Sequence, residues 1–403
     1  MKHLKTVFKA LLGFLPLLSS GVACHLYAQE STIEPIVVDP MDSVEISLIT
    51  CQPHDEVYSL YGHTAIRFHD LRKSTSIDIA FNYGVFDFKK PHFVGRFVFG
   101  LTDYELGAYP FELFLEEYRH FGSMVTEQVL NLTNEEKNRL RLALAENLKP
   151  ENKIYRYNYF YNNCTTKARD IIVRCINGKV EYAEREDFIP TFRDMVHEMT
   201  RNHPWSRFGN DLLLGIKADL QTNREEQEFL PNNLMYDFDH AQIYENGQYR
   251  PLVKERRTAV PGGVQVIRSA FPLSPLSTGI IIASFGLLIF AAEWKLKRSF
   301  VTWDVILMVV TGTIGIVLTL MLFSQHPTVS LNLQILLFNP LPWLFLWPVI
   351  KRRKTHYWPI TATLAVLFFI GALFQSYAEG LWSLALCLLL QCCIHLKMKK
   401  QHA

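Results

Sequence analysis

The stretch Tyr159-Phe160-Tyr161-Asn162-Asn163-Cys164-Thr165-Thr166-Lys167-Ala168-Arg169-Asp170-Ile171-Ile172 runs from a polar turn into a helix-forming segment and sets a cysteine at the junction. The first turn of a helix has N–H groups without intrahelical partners and a partial positive charge. Both favour thiolate over thiol at Cys164, and the same donors suit the oxyanion that forms when the sulfur attacks a carbonyl. An imidazole beside the sulfur would complete an activated nucleophile. The candidate is His63, at the mouth of a strand entered through glycine in Tyr61-Gly62-His63-Thr64-Ala65-Ile66-Arg67-Phe68. It lies far upstream, so only the fold can join the two.

Taken alone, each residue has a plainer reading. A cysteine at a helix start in an exported domain is more often structural, and a histidine on a strand is usually a satisfied or exposed side chain. Cys51 and Cys175 compete for Cys164 as disulfide partners. A Cys51–Cys175 pair would leave Cys164 free, and spacing leaves the connectivity open. Around the two segments, strand-like runs at 44–50, 64–68 and 77–83 mix with helix-like runs at 110–118 and 134–147. The last of these opens with the capping-box spacing Thr133 and Glu136. The pattern is α+β, with no dinucleotide-binding GxGxxG and no P-loop.

The flanks set the compartment. Lys2, Lys5 and Lys9 precede a short apolar run at 10–18, the pattern of an export signal. Cleavage after Ala28, lipoprotein processing at Cys24 and retention as an anchor are its three readings, and all place the next part of the chain outside the cytoplasm. From about 272 onward come five apolar stretches, at 276–294, 303–323, 329–350, 357–375 and 380–396. Each is about 20 residues, long enough at about 1.5 Å per residue to cross a hydrocarbon core of about 30 Å. Pro340 and Pro342 break the third, and Glu293 and Asp304 are expected at the interface. Lys295, Lys297, Arg298, Lys351, Arg352, Arg353, Lys354, Lys397, Lys399 and Lys400 all fall on one side, while the loops at 324–328 and 376–379 carry no Lys or Arg. The positive-inside rule puts the basic side and the C-terminus in the cytoplasm.

Composition agrees once it is divided. The 403 residues carry 41 Lys+Arg against 39 Asp+Glu, a formal charge of +2, which argues against a nucleic-acid partner held by bulk positive charge. A hydrophobic fraction of 49% excludes wholesale disorder, and 7 cysteines are too few for a disulfide-built scaffold. The mean hydropathy of +0.06 averages a polar exported part with an apolar tail. The expected domains are a signal or anchor at 1–28, a thiol domain at 29–180, an extension or connector at 181–271 and a five-span region at 272–403.

A Gly-His strand followed later by an Asn-Cys helix resembles the circularly permuted papain-like hydrolases and acyltransferases of the NlpC/P60 type, including the lecithin:retinol acyltransferase (LRAT-like) group. More closely, Thr50-Cys51, Tyr58-Ser59, Tyr61-Gly62-His63-Thr64-Ala65-Ile66-Arg67, Phe81-Asn82-Tyr83-Gly84, Phe86-Asp87-Phe88, Asp103-Tyr104 and Asn162-Asn163-Cys164-Thr165-Thr166 together resemble the Lnb family. Those are lipoprotein N-acyltransferases of Bacteroidetes, with a periplasmic thiol domain and a multi-span tail. His326-Pro327, Asn332 and Asn339-Pro340 extend the likeness into the tail.

The resemblance implies Cys164 as nucleophile and His63 as general base, with a third polar residue from the next strand orienting the imidazole. A hairpin turning near 72–74 would bring Asn82 or Tyr83 opposite His63. Asn82 is chosen because its amide can accept from the imidazole, with Asp78 and Tyr83 as alternatives. Asn163, Thr165, Tyr83, His326, Asn332 and Asn339 are the candidate substrate-binding residues. The implied reaction moves an acyl chain from a membrane phospholipid, through a Cys164 thioester, to the α-amine of a lipoprotein's lipidated N-terminal cysteine. It requires no metal and no cofactor, and it sits at the inner membrane facing the periplasm. The alternatives are a thiol peptidase or amidase acting on the cell wall and a non-enzymatic membrane scaffold.

Overall fold

The computed structural model describes residues 41–74, 77–86, 91–264 and 271–401. The export-signal segment, including Cys24 and Ala28, lies outside the described residues. The N-terminal part is built on a seven-stranded sheet of order β10-β5-β1-β2-β3-β4-β6, antiparallel throughout. Its strands are β1 (Val44–Cys51), β2 (His63–Asp70), β3 (Asp78–Val85), β4 (Asp103–Pro110), β5 (Val125–Leu130), β6 (Ile154–Arg156) and β10 (Val253–Val260). A smaller sheet joins β7 (Lys179–Glu181), β8 (Gln242–Glu245) and β9 (Gln248–Pro251).

Period-2 alternation explains why the central strands are apolar on both faces. Ile46, Leu48, Ile66, Phe68 and Tyr83 point to one face, where helices Asn134–Leu148, Cys164–Arg174 and Pro231–His240 cover them. Ile49, Cys51, Ala65 and Ala80 point to the other, under helix Phe111–Phe121 through Phe111, Phe114, Leu115 and Tyr118. Each fully buried Leu or Ile in these layers contributes about 1.5–3 kcal/mol of hydrophobic stabilisation. The capping box at Thr133 and Glu136 forms as the spacing predicts.

Within 181–271, the expected extension or connector, β10 returns to the main sheet and pairs with β5 along its length. Between β7 and β10 this segment also forms the docking helix Pro204–Leu213. Gly215 and Ile216 N–H donate to Thr328 and Leu331 carbonyls, at 2.8 Å each, and seat this segment on the helical tail.

All five apolar stretches of the tail contain helix: Pro275–Leu296, Val301–Met321, Leu341–Ile350, Tyr357–Gly371 and Leu381–Gln401. Three segments, Pro275–Leu296, Val301–Met321 and Leu333–Ile350, are long and apolar enough to cross a membrane, and Tyr357–Gly371 and Leu381–Lys397 are shorter apolar helices. The third segment is a 3-10 turn, Leu333–Leu336, followed by a helix that starts after Pro340, as its prolines require. Glu293 and Asp304 lie in the terminal turns of their helices and are fully buried there against protein. Asp304 Oδ1 accepts from Gln391 Nε2 at 2.7 Å and from His395 Nε2 at 3.0 Å, and Glu293 Oε1 accepts from the Phe300 N–H at 2.5 Å. Side-chain partners replace the water that a carboxylate would otherwise need.

Candidate active site

The site begins with the turn before the cysteine helix. Asn158 and Asn162 bridge, and Asn158 Oδ1 accepts from the N–H groups of Phe160 and Tyr161 at 3.3 Å each. Asn163 then caps the helix. Its Oδ1 accepts from Thr165 N at 2.9 Å and Thr166 N at 3.0 Å, while Asn163 N donates to Thr166 Oγ1 at 2.9 Å. Its Nδ2 donates to the carbonyls of Tyr159 at 3.1 Å and Phe229 at 2.8 Å. Every polar atom of this buried amide is engaged, so Cys164 is held at the first helical position.

That capping corrects the oxyanion expectation. The N–H groups of Thr165 and Thr166 are already taken by Asn163, and the Cys164 N–H is the first-turn donor that Asn163 leaves over. Thr165 is likewise an internal brace. Its hydroxyl lies 3.1 Å from that of Thr64 and 3.8 Å from Cys164 Sγ, tying the cysteine helix to β2.

His63 enters β2 from Gly62, whose φ of +74° is in the left-handed region. A Cβ there would also stand 2.7 Å from the Cys51 carbonyl oxygen, so the Gly-His pairing has a steric cause. His63 Nε2 donates to Asn82 Oδ1 at 2.6 Å. With Nε2 so occupied, Nδ1 is the nitrogen left for Cys164, whose sulfur is the imidazole's strongest electrostatic neighbour. The β2–β3 register pairs Ile66 with Phe81, so Asn82 is offset diagonally from His63 on the same face rather than directly opposite. The β3–β4 ladder slips between Asn82 and Val85, and Gly84 in that slip, at φ +89°, would place a Cβ 3.6 Å from that of Cys164.

The electrostatics follow from this contact. Burial favours the neutral thiol, but the His63 charge and hydrogen bond, helped by the Thr64 N–H and Thr165, bring Cys164 down to about 7. Burial also opposes charge on His63, but the Cys164 thiolate and the Cys164 and Asn82 hydrogen bonds push it up to about 9. Near neutral pH the pair is a thiolate and an imidazolium. The six described cysteines are free, so no Cys51–Cys175 bridge forms. Burial pushes the Cys51 and Cys175 thiols up, which leaves them poor nucleophiles. Beside the sulfur, Tyr104 stacks on Tyr157 at 4.1 Å and on Phe86 at 4.8 Å, an aromatic wall that sequence reading missed.

The other candidates are placed elsewhere. Asp78 is held bidentately by Arg67, at 2.7 and 2.6 Å, and does not meet His63. Tyr83 points into the opposite core, where its hydroxyl accepts from Asn147 Nδ2 at 2.8 Å. Asn332 is buried at the junction with the tail. Its Nδ2 donates to the Leu212 carbonyl at 2.9 Å, and its Oδ1 accepts from Gln375 Nε2 at 2.9 Å. Asn339 Oδ1 accepts from Leu341 N at 3.2 Å, a cap on the broken third segment. His326 lies in the loop at the same junction, 6.0 Å from the Phe97 ring, with a buried Nε2 that has no hydrogen-bond partner among the described residues. None of these five joins the Cys164–His63–Asn82 cluster.

A polar chain nevertheless connects site and tail. Tyr61, two residues before His63, accepts from Asn210 Nδ2 at 2.9 Å. The next two residues of the docking helix, Asp211 and Leu212, offer their carbonyls to Gln334 Nε2 at 2.8 Å and to Asn332. Sequence reading also missed the grouping of Glu117, from helix Phe111–Phe121, with His54 and Tyr58 of the β1–β2 connection, on the side of His63. Only the capped start of a helix and the glycine before a strand leave local signals.

The fold and site thus define a membrane protein that carries a thiol–imidazole centre on a mixed α/β domain. Residues 38–201 match the family model described as the Lnb N-terminal periplasmic domain, and residues 267–402 match the one described as the Lnb transmembrane domain. The chain belongs to the Lnb family, as a membrane protein with a periplasmic N-terminal domain. No curated protein and no solved structure matches it.

Proposed function

We propose that this protein is a lipoprotein N-acyltransferase of the inner membrane. It takes an acyl chain from a phospholipid onto Cys164 and passes it to the α-amine of a lipoprotein's lipidated N-terminal cysteine. The observation that carries the reading is Cys164 at a helix start beside His63, whose ring is held by a hydrogen bond to Asn82. In the first half-reaction the Cys164 thiolate attacks the ester carbonyl, the Cys164 N–H donates to the oxyanion, and His63 gives its proton to the departing lysophospholipid. In the second, the amine attacks the thioester, and His63 takes a proton as the thiolate leaves.

The tail supports this reading because both substrates are membrane lipids. Holding the thiol beside them replaces much of the entropic cost of their encounter. Within the proposal, the periplasmic domain is a permuted papain-like unit, 181–271 connects it to the tail, and all five tail helices cross the bilayer with the C-terminus in the cytoplasm. The test is to restore a strain lacking the gene with Cys164→Ala and Cys164→Ser and to read lipoprotein N-termini by mass spectrometry. Loss of N-acylation in both supports the reading, and full acylation with either substitution sinks it.

A further inference from the structure

Beside His63, helix Phe111–Phe121 brings a polar cluster that the two half-reactions leave unused. The Phe114 ring lies 6.3 Å from the His63 imidazole, and Glu117 comes one turn later on the same helix face. Glu117 Oε1 accepts from the Tyr58 hydroxyl at 3.2 Å and from His54 Nε2 at 3.3 Å. The cluster belongs to the same end of the sheet, because Cys51, shortly before His54, is the register partner of His63.

Two features distinguish it from a structural ion pair. The Glu117 side chain is 45% exposed, whereas its partner His54 is buried and stacked face to face on Phe121 at 4.1 Å. A carboxylate that reaches solvent is therefore anchored from behind by a rigid group. Second, His54 Nδ1 is buried with no hydrogen-bond partner among the described residues. With no other side-chain partner among the described residues, the buried imidazole is committed to Glu117. Burial would raise the Glu117 carboxyl, but the His54 hydrogen bond and the nearby imidazoles hold it below the usual value. It is an anion across the neutral range.

We infer that Glu117, braced by His54 and Tyr58, is the binding site for the acceptor's α-ammonium. This inference rests on the acyl-transfer reading and names the group that receives its second substrate. An α-amine has an ordinary pKa of about 7.7–8.0, so much of it arrives as the ammonium and needs a counter-charge beside the thioester. The proton balance then closes. The first half-reaction leaves His63 neutral. The ammonium sheds one proton to solvent past the exposed carboxylate, its nitrogen forms the C–N bond, and the C–S bond breaks. The second proton goes to His63, which restores the imidazolium–thiolate pair. Ester and ammonium become amide, alcohol and one released proton.

The test uses the full chain reconstituted in phospholipid vesicles, with a synthetic peptide bearing an N-terminal S-diacylglyceryl cysteine as acceptor. Acylation of Cys164 without peptide is followed by intact mass, and transfer is followed against peptide concentration and pH. Glu117→Gln should slow transfer far more than acylation, which loses only the carboxylate's support of the His63 charge. It should need about tenfold more peptide for half-maximal transfer, with the transfer step moved to higher pH, the size expected for losing one partly exposed charge-assisted contact. Glu117→Asp should recover part of the loss. Hydroxylamine, a nucleophile that is uncharged at neutral pH, should discharge the wild-type and Glu117→Gln thioesters equally. Equal slowing of acylation and transfer, or an unchanged peptide dependence, overturns the inference. A wild-type protein never acylated on Cys164 overturns the acyl-transfer reading itself, and this inference with it.

Discussion

His63 Nε2 meets Asn82 Oδ1 at 2.6 Å across a diagonal of the β2–β3 pair, which leaves the other ring nitrogen for Cys164. The amide fixes both the orientation and the tautomer of the imidazole. Asn82→Ala should lower acyl transfer about 100-fold. It should also slow iodoacetamide alkylation of Cys164 at pH 7. Alkylation at the wild-type rate would show that Asn82 does not govern the imidazole.

The ion pair sets a pH window. Below about 7 the Cys164 thiolate gains a proton, and above about 9 His63 loses its own, so both charges coexist between those limits. Alkylation of wild-type Cys164 should rise through about pH 7. In His63→Ala the rise should move beyond the ordinary thiol value of about 8.5, since burial then acts without the imidazolium. A mid-point that stayed near 7 in that variant would place the cause in the helix terminus alone.

Asn163 is expected to matter through folding. Asn163→Ala removes the cap on Thr165 and Thr166 and leaves the carbonyls of Tyr159 and Phe229 without their side-chain donor. A loss of about 1–3 kcal/mol should result, read as a lower Tm. Asn163→Asp keeps the acceptor and loses both donors, so it should recover only part of that loss.

Asp78 and Tyr83 separate placement from proximity in sequence. Asp78→Asn weakens the Arg67 pair, and Tyr83→Phe removes the hydroxyl that accepts from Asn147. Tyr83→Phe should cost about 1 kcal/mol. Both variants should keep the wild-type pH profile of Cys164 alkylation, and a shifted mid-point in either would bring that residue back to the site.

The junction with the tail gives a further expectation. Asn332→Ala and Gln375→Ala remove the shorter of two side-chain donors from the Leu212 and Leu214 carbonyls, leaving Gln334 and Arg193 at 3.3 Å each. Each should cost about 1–3 kcal/mol and speed proteolysis within 201–216, while the Cys164 alkylation profile stays unchanged. A changed profile would mean that the Tyr61–Asn210 link transmits the disturbance to the thiol.

The parts of this arrangement that could be read from the chain are those with local causes. A polar turn, an asparagine cap and a following apolar face announce the Cys164 helix. Gly62 announces the strand mouth at His63. The apolar tail shows in its composition. Asn82 was readable as a face of β3, but not as a diagonal partner, because the register depends on where the hairpin and the β3–β4 slip fall. The meeting of Glu117 with His54 and Tyr58 was not legible, although Tyr58 carried part of the resemblance, because helix Phe111–Phe121 must pack on the β1–β2 connection before they meet. For Glu293 and Asp304 the sequence showed a place at the helix ends but not their burial, which depends on which neighbour each faces.

The seventh strand has a consequence for biogenesis. β10 ends at Val260, and the first apolar helix of the tail starts at Pro275. The partner of β5 is therefore among the last parts of the exported domain to be translocated, just before the chain enters the bilayer. Until then β5 presents an open edge, and an edge strand is where chains pair wrongly. Completion of the sheet thus waits for the segment just ahead of the tail, so a chain cut before 253 would emerge with its sheet unfinished.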